Sequence, residues 1–200
     1  RWMMAEFSMS ESTEREWERG ELGAGVIAVL RRGSRTKADI LLVRRRSREV
    51  VVKDFADRRF LVRRFLGPWL LDREERAYRA LEGCTFMPRL IERLDSQAIV
   101  LEYRPGTCLS RSLRGRLPAD FLTVLREAVY TMHRRGVVHL DLRHRSNVLA
   151  GEDGKPVILD FATALLLPGD RGPRCWLRGL FEVIDRRALR KWQRKITPRG

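Results

Sequence analysis

The sequence predicts an α+β fold built as two lobes, with strands in the first half and more helix in the second. Three short runs rich in β-branched residues follow one another between residues 24 and 55, as in an antiparallel meander. Each half also contains a segment with apolar residues at the three- and four-residue spacing of an amphipathic helix. Pro105 and Gly106 lie between the halves and indicate a boundary.

The first lobe is predicted to hold one helix among its strands. Glu74 and Tyr78 share a face of the helix predicted over 70–83, and Gly67–Pro68 is expected to interrupt the chain before it. A turn is expected at 33–39, between two of the strands. The strands of this lobe are predicted over 24–32, 40–46, 49–55 and 98–106.

The second lobe is predicted to contain two helical segments separated by a polar loop. The first helix runs from Pro118 to Gly136. The sequences "VVHLDL" and "KPVILDF" are predicted as short strands around a glycine-rich turn. Residues 176–195 are predicted as a basic amphipathic helix or helix pair, in which Trp192 among cations suits a membrane surface or an acidic substrate. The predicted domains are an N-terminal arm over 1–19, an N-lobe over 20–104 and a reduced C-lobe over 105–200.

The chain is strongly basic, with 41 Lys and Arg against 26 Asp and Glu and a formal net charge of +15. Such a charge favours anionic partners, including acidic membrane surfaces and phosphorylated molecules. Nucleic acid is not the expected partner, because no basic motif with interleaved aromatic residues is present. Only five of the basic residues are lysines. A lysine inside a predicted strand therefore calls for a functional reason, because an ammonium and a guanidinium bind ligands differently.

Cysteine usage and hydropathy predict the compartment. Cys84, Cys108 and Cys175 are widely spaced, and no metal-binding pattern joins them. A reducing, cytoplasmic location, including the inner face of the membrane, is therefore expected. No apolar run approaches the roughly 18–20 residues of a membrane span, so only peripheral membrane contact is expected. The opening residues do not resemble a signal peptide, and one of the first three methionines is the expected natural start.

Two aspartates and an asparagine in the second lobe form the first candidate site. Asp141 and Asp160 each follow apolar residues, in "HLDL" and "VILDF", where an ionised carboxylate is rarely placed without a partner. With Asn147 they supply the hard oxygen ligands that Mg²⁺ prefers, and one carboxylate remains to orient a hydroxyl. In a less favoured interpretation, His139, Asp141 and His144 are a metal trio of a hydrolase.

The residues around this site resemble motifs of the protein-kinase superfamily. "HLDLRHRSN" resembles the catalytic loop H-R-D-L-x-x-x-N, and "DFA" resembles the metal-binding D-F-G. Upstream, "VVVKDF" resembles the V-A-I-K strand, "REERAYRAL" the helix that supplies the acidic partner of the lysine, and "IVLEYRPG" the hinge after the fifth strand. The compact size and the lack of a long activation loop make the chain most similar to the small bacterial RIO-type and lipopolysaccharide (Kdo-type) kinases.

The resemblance implies a compact bilobal kinase-like fold that binds ATP and Mg²⁺ between a β-rich N-lobe and a reduced, mostly helical C-lobe. Asp141 would orient the acceptor hydroxyl, and Arg143 would neutralise charge on the migrating phosphoryl group. Lys53, fixed by Glu74 rather than by its neighbour Glu75, would hold the nucleotide phosphates. The implied metal ligands are Asn147 and Asp160, and further nucleotide contacts are implied for Glu102, Tyr103, Gly33 and Ser34.

Three features depart from the family pattern. Asp141 and Asn147 are six positions apart instead of five, so one residue within "RHRS" must be accommodated as a bulge. Ala162 replaces the glycine of D-F-G, which requires a backbone without positive φ at that position. The nucleotide-covering loop is assigned to 33–37, although "GELGAGV" earlier in the chain holds more glycines and neither segment matches G-x-G-x-x-G.

The expected function is transfer of the γ-phosphate of Mg-ATP to a hydroxyl acceptor. That acceptor is either a lipopolysaccharide-type sugar, hence an anionic glycolipid, or a serine or threonine of a protein. The alternative is a nucleotide-binding pseudokinase that acts as a regulatory or scaffold module. The altered Asp–Asn spacing and the glycine-poor loop are the features that keep this second interpretation open.

Overall fold

The computed structural model describes residue 17, residues 19–169 and residues 173–197. It has the mixed α+β architecture that the sequence predicts, with a β-rich first half and two long helices packed together in the second. The elements of the first half are α1 (Arg19–Gly25), β1 (Val26–Arg31), β2 (Asp39–Arg45), β3 (Arg48–Asp54), a π-helix (Val62–Leu66), α2 (Gly67–Ala80), β4 (Leu90–Arg93) and β5 (Ala98–Glu102). Those of the second half are β6 (Gly106–Cys108), α3 (Phe121–Arg134), β7 (Val137–Val138), β8 (Val148–Gly151), β9 (Pro156–Ile158), β10 (Leu165–Leu166) and α4 (Pro173–Ile196).

Strands β1 to β5 form one antiparallel sheet in the order β1-β2-β3-β5-β4. Side chains along β3 alternate between the two faces of this sheet. Val50 and Val52 pack on the outer face, in an apolar cluster that includes Trp17. Val51 and Lys53 point to the other face and line a cavity between the two halves of the chain. The two-residue period of the strand therefore places its only lysine in the cleft.

The helix predicted in the first half begins earlier than expected, because Gly67 and Pro68 do not interrupt it. Residues 60–80 are continuously helical, with a π-turn directly before α2. Pro68 has no N–H, and in a regular α-helix its ring would clash with the carbonyl four residues back, which the wider π-turn avoids. A Cβ on Gly67 would lie 2.7 Å from the ring of Phe55. The glycine therefore permits close packing and does not mark a break.

The second half differs from the prediction in its short strands. "VVHLDL" contributes only Val137–Val138 to a strand, which pairs with β10, and Asp141 lies in the loop beyond it. Strand β8, which the sequence analysis does not predict, lies between β6 and β9 in a three-stranded sheet. Its sequence "VLAG" is too short to show an alternating pattern. The helix expected from Pro118 begins three residues later, at Phe121.

Helix α4 covers the whole segment predicted as one basic helix or a helix pair. Its Trp192 is only 1% exposed, and the indole Nε1 donates a hydrogen bond to the carbonyl of Leu142 at 2.8 Å. The expectation that Trp192 contacts a membrane surface is therefore wrong, because its ring is part of the core. Within the described residues, no helix combines the length and the apolar character needed to cross a bilayer.

Gly136 connects α3 to β7 with a φ of +76°, and a Cβ there would lie 2.8 Å from the Cα of Pro168. We expect Gly136→Ala to lower the free energy of unfolding by about 2–4 kcal/mol, because backbone strain and overpacking add. Gly83→Ala is the matched control, since Gly83 has a φ of +81° but open space around a Cβ. It should lose only about 1–2 kcal/mol, from backbone strain alone. Urea unfolding measures the free energy of unfolding of both variants. Equal losses of stability in the two would contradict the packing argument.

Candidate active site

Lys53 lies near the end of β3, where the alternation of the strand points its side chain into the cleft. The residue is 8% exposed. Its Nζ donates hydrogen bonds to Oε1 of Glu74 and to Oδ1 of Asp160, the latter at 3.0 Å. Burial by itself would lower the pKa of Lys53, but the charges of Asp160 and Glu74 outweigh burial and raise the pKa above its ordinary value. Lys53 is therefore a cation held between two carboxylates.

Helix α2 supplies one of these carboxylates from its buried face. Buried positions three and four residues apart place Glu74 on the inner side of the helix. Its Oε1 also accepts a hydrogen bond from the N–H of Phe161 at 3.3 Å. Glu75, the alternative partner for Lys53, instead forms ion pairs with two arginines. Of the two glutamates, Glu74 is the one in contact with Lys53.

Asp160 follows β9 with φ 66° and ψ 74°, a left-handed conformation that aspartate tolerates better than most residues. Its Oδ2 lies 3.8 Å from a guanidinium nitrogen of Arg31 on β1. The charge of Lys53, helped by Arg31, lowers the pKa of Asp160 to about 2, so the carboxylate is ionised at neutral pH. Arg31 is not predicted as a site residue from the sequence, because no motif distinguishes it from the many other arginines.

The replacement of the family glycine by Ala162 is accommodated without strain. Ala162 lies in a 3₁₀ turn over Phe161–Thr163. The positive φ in this segment belongs to Asp160, and Ala162 is not among the residues with positive φ. An alanine therefore fits, as the sequence analysis requires of this position.

The loop from His139 to Asn147 brings Asp141 and Asn147 together. Nδ2 of Asn147 donates to the backbone carbonyl of Asp141 at 3.0 Å and to its Oδ2 at 2.9 Å. The extra residue is absorbed by a 3₁₀ turn over Arg145–Asn147, whose last N–H donates to the carbonyl of His144. The six-residue spacing therefore still brings the two side chains into contact.

Asp185 of α4 fixes the start of this loop, and the sequence analysis misses it. Its side chain is fully buried. Oδ2 accepts a hydrogen bond from the N–H of His139 and Oδ1 from that of Leu140, both at 2.9 Å, and Nε2 of His133 lies 2.9 Å from Oδ2. Leu140 has a φ of +70°, so these bonds hold a strained backbone in place. The only sequence signal is an aspartate beside apolar residues in "EVIDRR".

The two histidines of the loop have separate partners. Nε2 of His139 donates to the carbonyl of Leu159 at 2.9 Å, and burial lowers the pKa of this imidazole. Nδ1 of His144 is hydrogen-bonded to the hydroxyl of Ser146 at 2.7 Å. The trio proposed with Asp141 is therefore not assembled. Across residues 17, 19–169 and 173–197, no three His, Cys, Asp or Glu side chains are grouped to hold a metal.

Two cavities meet at Lys53 and Asp160, which line both. The larger has a volume of about 340 Å³ and takes its walls from both halves of the chain. The smaller, of about 270 Å³, is also lined by Glu74 and Asp141. An apolar slot beside a few fixed charges suits a ligand with a flat ring and an anionic tail. The apolar residues around the larger cavity include Leu30, Ile40, Val51, Leu101, Leu149 and Leu159.

Asn147 and Asp160 lie together on the wall of the larger cavity and provide oxygen donors. Nδ2 of Asn147 is engaged with Asp141, so its Oδ1 is the atom left for a ligand. Within the described part of the chain, that oxygen accepts a single hydrogen bond, from the hydroxyl of Ser146 at 3.1 Å. An amide oxygen with an ionised carboxylate fits Mg²⁺, which keeps several positions for water and phosphate oxygens.

Arg143 and the hinge residues Glu102 and Tyr103 differ in how close they lie to the cleft. Arg143 is exposed, its carbonyl accepts a hydrogen bond from Nζ of Lys191, and it lines neither cavity. Glu102 donates its N–H to the carbonyl of Arg89 and accepts the N–H of Arg89 at Oε2, so its own N–H is already used. Tyr103 lines the larger cavity, where the resemblance implies that adenine binds.

The loop assigned to cover the nucleotide is bound to the N-terminal half of the chain. The N–H of Gly33 donates to Oδ1 of Asp39 at 2.6 Å, and Arg58 donates to the carbonyls of Gly33 and Ser34 at 3.1 and 3.3 Å. The N–H of Gly33, which is expected to meet phosphate, is therefore already used in a bond to Asp39. The other glycine-rich segment lies mostly in α1. The loop residues that line the smaller cavity are Thr36, Lys37 and Ala38.

Comparison with solved structures finds 1376 chains that are similar to this one. The Rio2 kinase from Chaetomium thermophilum aligns with a TM-score of 0.63 and 17% sequence identity, over 88% of this chain and 59% of that chain. No family model and no curated protein matches the sequence. At this level of identity the likeness concerns the fold. The chain has a protein-kinase-like fold, as the motifs in its sequence predict.

Proposed function

We propose that this protein is an ATP-dependent phosphotransferase, with an N-lobe over 20–104, a C-lobe over 105–200 and the nucleotide between them. The proposal rests mainly on Lys53, which is held between Glu74 and Asp160 where an apolar cavity meets a charged one. The apolar walls would suit a base, the fixed cation would suit phosphates, and the nearby oxygen donors would suit a metal.

In the proposed reaction each residue acts through its position. Lys53, oriented by Glu74, binds phosphate oxygens through Nζ. Asp141, oriented by Nδ2 of Asn147, takes the proton of the acceptor hydroxyl. At the same time the hydroxyl oxygen of the acceptor bonds to the γ-phosphorus, and the bond between that phosphorus and ADP breaks. A magnesium ion held by Asn147 and Asp160 would neutralise phosphate charge. Catalysis would then depend on positioning and electrostatic stabilisation.

The remaining assignments require local movement. Arg143, proposed to neutralise charge on the phosphoryl group, would have to turn in from solvent. Gly33 would have to exchange its hydrogen bond to Asp39 for one to a phosphate, with Ser34 following. Adenine is proposed to meet Tyr103 and the backbone of the neighbouring Glu102.

The proposed acceptor is a hydroxyl of a lipopolysaccharide-type sugar or of a protein serine or threonine. The resemblance to RIO-type and Kdo-type kinases supports this pair of acceptors. The net charge of +15 supports an anionic one. The proposed setting is the bacterial cytoplasm, at the inner face of the membrane where a glycolipid is phosphorylated. Transfer assays with each acceptor in turn would separate the two.

A nucleotide-binding pseudokinase is the second candidate. The hydrogen bond that occupies the N–H of Gly33 and the exposed position of Arg143 favour it, because neither residue is arranged for catalysis. Such a protein would bind Mg-ATP with similar affinity but would form no ADP. Turnover therefore separates the two candidates.

Nucleotide-dependent thermal stabilisation tests the proposed site. With ATP at 100 times its Kd, binding adds about 2.7 kcal/mol, which should raise Tm by about 5–10 °C. The gain should require Mg²⁺, and Asp160→Asn should remove the Mg²⁺-dependent part because an ionised metal ligand is lost. Asp72→Asn, a change at an exposed carboxylate of α2, should behave like the parent. The proposal would be contradicted by an ATP effect that Asp160→Asn leaves intact.

A further inference from the structure

The helical segment over 60–69 exposes large apolar side chains that its core does not use. Phe60, Leu61, Phe65 and Trp69 are 63%, 68%, 59% and 50% exposed. Leu61, Phe65 and Trp69 follow one another at intervals of four positions, and Phe60 lies five positions before Phe65. Because the segment contains the π-turn, these spacings bring the side chains to one side of the helix. Monomeric soluble proteins rarely leave such a group of side chains in water without an interaction.

The opposite side of this helix is already packed. Val62 and Leu70 pack against the main core, and Gly67 touches the ring of Phe55. The exposed side chains are therefore held outward on a fixed helix. Because the inner side of the helix is already filled, these side chains cannot rotate into the core.

Arginines lie beside the exposed apolar side chains, and the nearest acidic residues in the sequence, Asp57 and Asp72, are at the two ends of the segment. Arg59, Arg63 and Arg64 are exposed, and no acidic residue occurs from position 58 to position 71. The guanidinium of Arg64 lies 5.3 Å from the ring centroid of Phe65, and that of Arg73 lies 4.7 Å from the ring centroid of Trp69. Aromatic side chains flanked by arginines on one helix face are the pattern of helices that lie in a membrane interface and attract anionic lipids.

We propose that the face formed by Phe60, Leu61, Phe65 and Trp69 docks on an anionic lipid surface. The apolar side chains would enter the interface, and the flanking arginines would bind lipid phosphates. Leu66 and Leu70, on the other side of the helix, line the smaller cavity. Docking would therefore hold that cavity about one helix diameter, roughly 10–12 Å, from the lipid headgroups.

Vesicle binding without nucleotide tests this inference, which therefore does not depend on the proposed phosphotransfer. The full chain is sedimented with vesicles of phosphatidylcholine alone or mixed with phosphatidylglycerol. We expect binding to the mixed vesicles only, weakened by salt. The double variant Phe65→Ser, Trp69→Ser should lower the partition coefficient at least about tenfold, because two aromatic side chains no longer enter the interface. Circular dichroism confirms that each variant is folded.

The matched control is Tyr130→Ser, which removes an aromatic side chain that is 64% exposed and has Arg134 nearby on another helix. The partition coefficient of this variant should stay within about twofold of that of the parent, as expected for a surface change away from the docking face. Equal binding by the parent and the double variant would overturn the proposal, because the overall charge would then suffice. Absence of binding by the parent would also overturn it. Self-association of the parent that the double variant abolishes would show a protein interface and overturn it as well.

Discussion

Replacing Asp141 with asparagine is expected to slow γ-phosphate transfer by about 10²–10⁴-fold while leaving the Kd for ATP unchanged. The amide cannot take the proton of an acceptor hydroxyl. The side chain keeps its size and an oxygen that can accept the hydrogen bond from Nδ2 of Asn147, which lies 2.9 Å from Oδ2 in the parent. The loop should therefore keep its geometry. Formation of ADP in the presence of Mg²⁺, with ATP binding measured separately by calorimetry, checks both parts.

The control for this variant is Asp57→Asn, a change at an exposed aspartate outside both cavities. It should turn over ATP at the parent rate. Turnover by Asp141→Asn at the parent rate would remove Asp141 from the reaction. Binding of ATP by the parent with no turnover would favour the pseudokinase.

Asp185→Ala is expected to lower the free energy of unfolding by about 3–5 kcal/mol. The change leaves the buried N–H groups of His139 and Leu140 without their acceptor and removes the hydrogen-bond partner of Nε2 of His133. The positive φ of Leu140 also loses the bonds that maintain it. Urea unfolding followed by circular dichroism measures the loss. Asp185→Asn, which keeps one acceptor oxygen, should lie between the alanine variant and the parent.

Glu182→Ala is the matched control on the same helix. Glu182 pairs with His133, Arg178 and Arg186 at 3.4–3.8 Å and is partly exposed, so its loss should cost less than about 1 kcal/mol. Similar losses for Asp185→Ala and Glu182→Ala would show that α4 contributes only general surface charge. In that case Asp185 would not be the anchor of the loop.

The sequence predicts the cleft better than the segments that support it. Lys53, Glu74, Asp141 and Asn147 occur in short motifs with fixed order, and each is in contact with another candidate residue. Chain order and strand alternation are local information, so they can be read without knowing the packing. For the same reason the sequence identifies Lys53 within a strand, and the alternation of β3 then places its side chain in the cleft.

The errors occur where packing between distant segments decides. Gly67 is interpreted as a break because its contact with the ring of Phe55 cannot be seen in the sequence. Phe55 lies twelve positions earlier in the chain, and its ring leaves room only for a glycine at position 67. Asp185 is indistinguishable from a surface aspartate until the loop at 139–140 is placed against it. Trp192 is assigned to the surface because its neighbours in sequence are cations, although its ring is buried.

The exposed face over 60–69 is missed for a related reason. Gly67 and Pro68 lie within this segment and are expected to interrupt the chain, so the helical spacing of the apolar residues before them is not recognised. Only the continuous helix shows that Leu61, Phe65 and Trp69 share one side. The exposed face is therefore apparent only once the helix is known to begin at residue 60.

The most direct test of the account is a crystal structure with Mn²⁺ and a non-hydrolysable ATP analogue, in which anomalous scattering locates the metal. We predict a metal at coordination distance, about 2 Å, from Oδ1 of Asn147 and the carboxylate of Asp160. The phosphates should contact Nζ of Lys53, and the γ-phosphate should face Asp141. A metal away from Asn147 and Asp160, or a nucleotide whose phosphates do not reach Lys53, would contradict the phosphotransferase assignment.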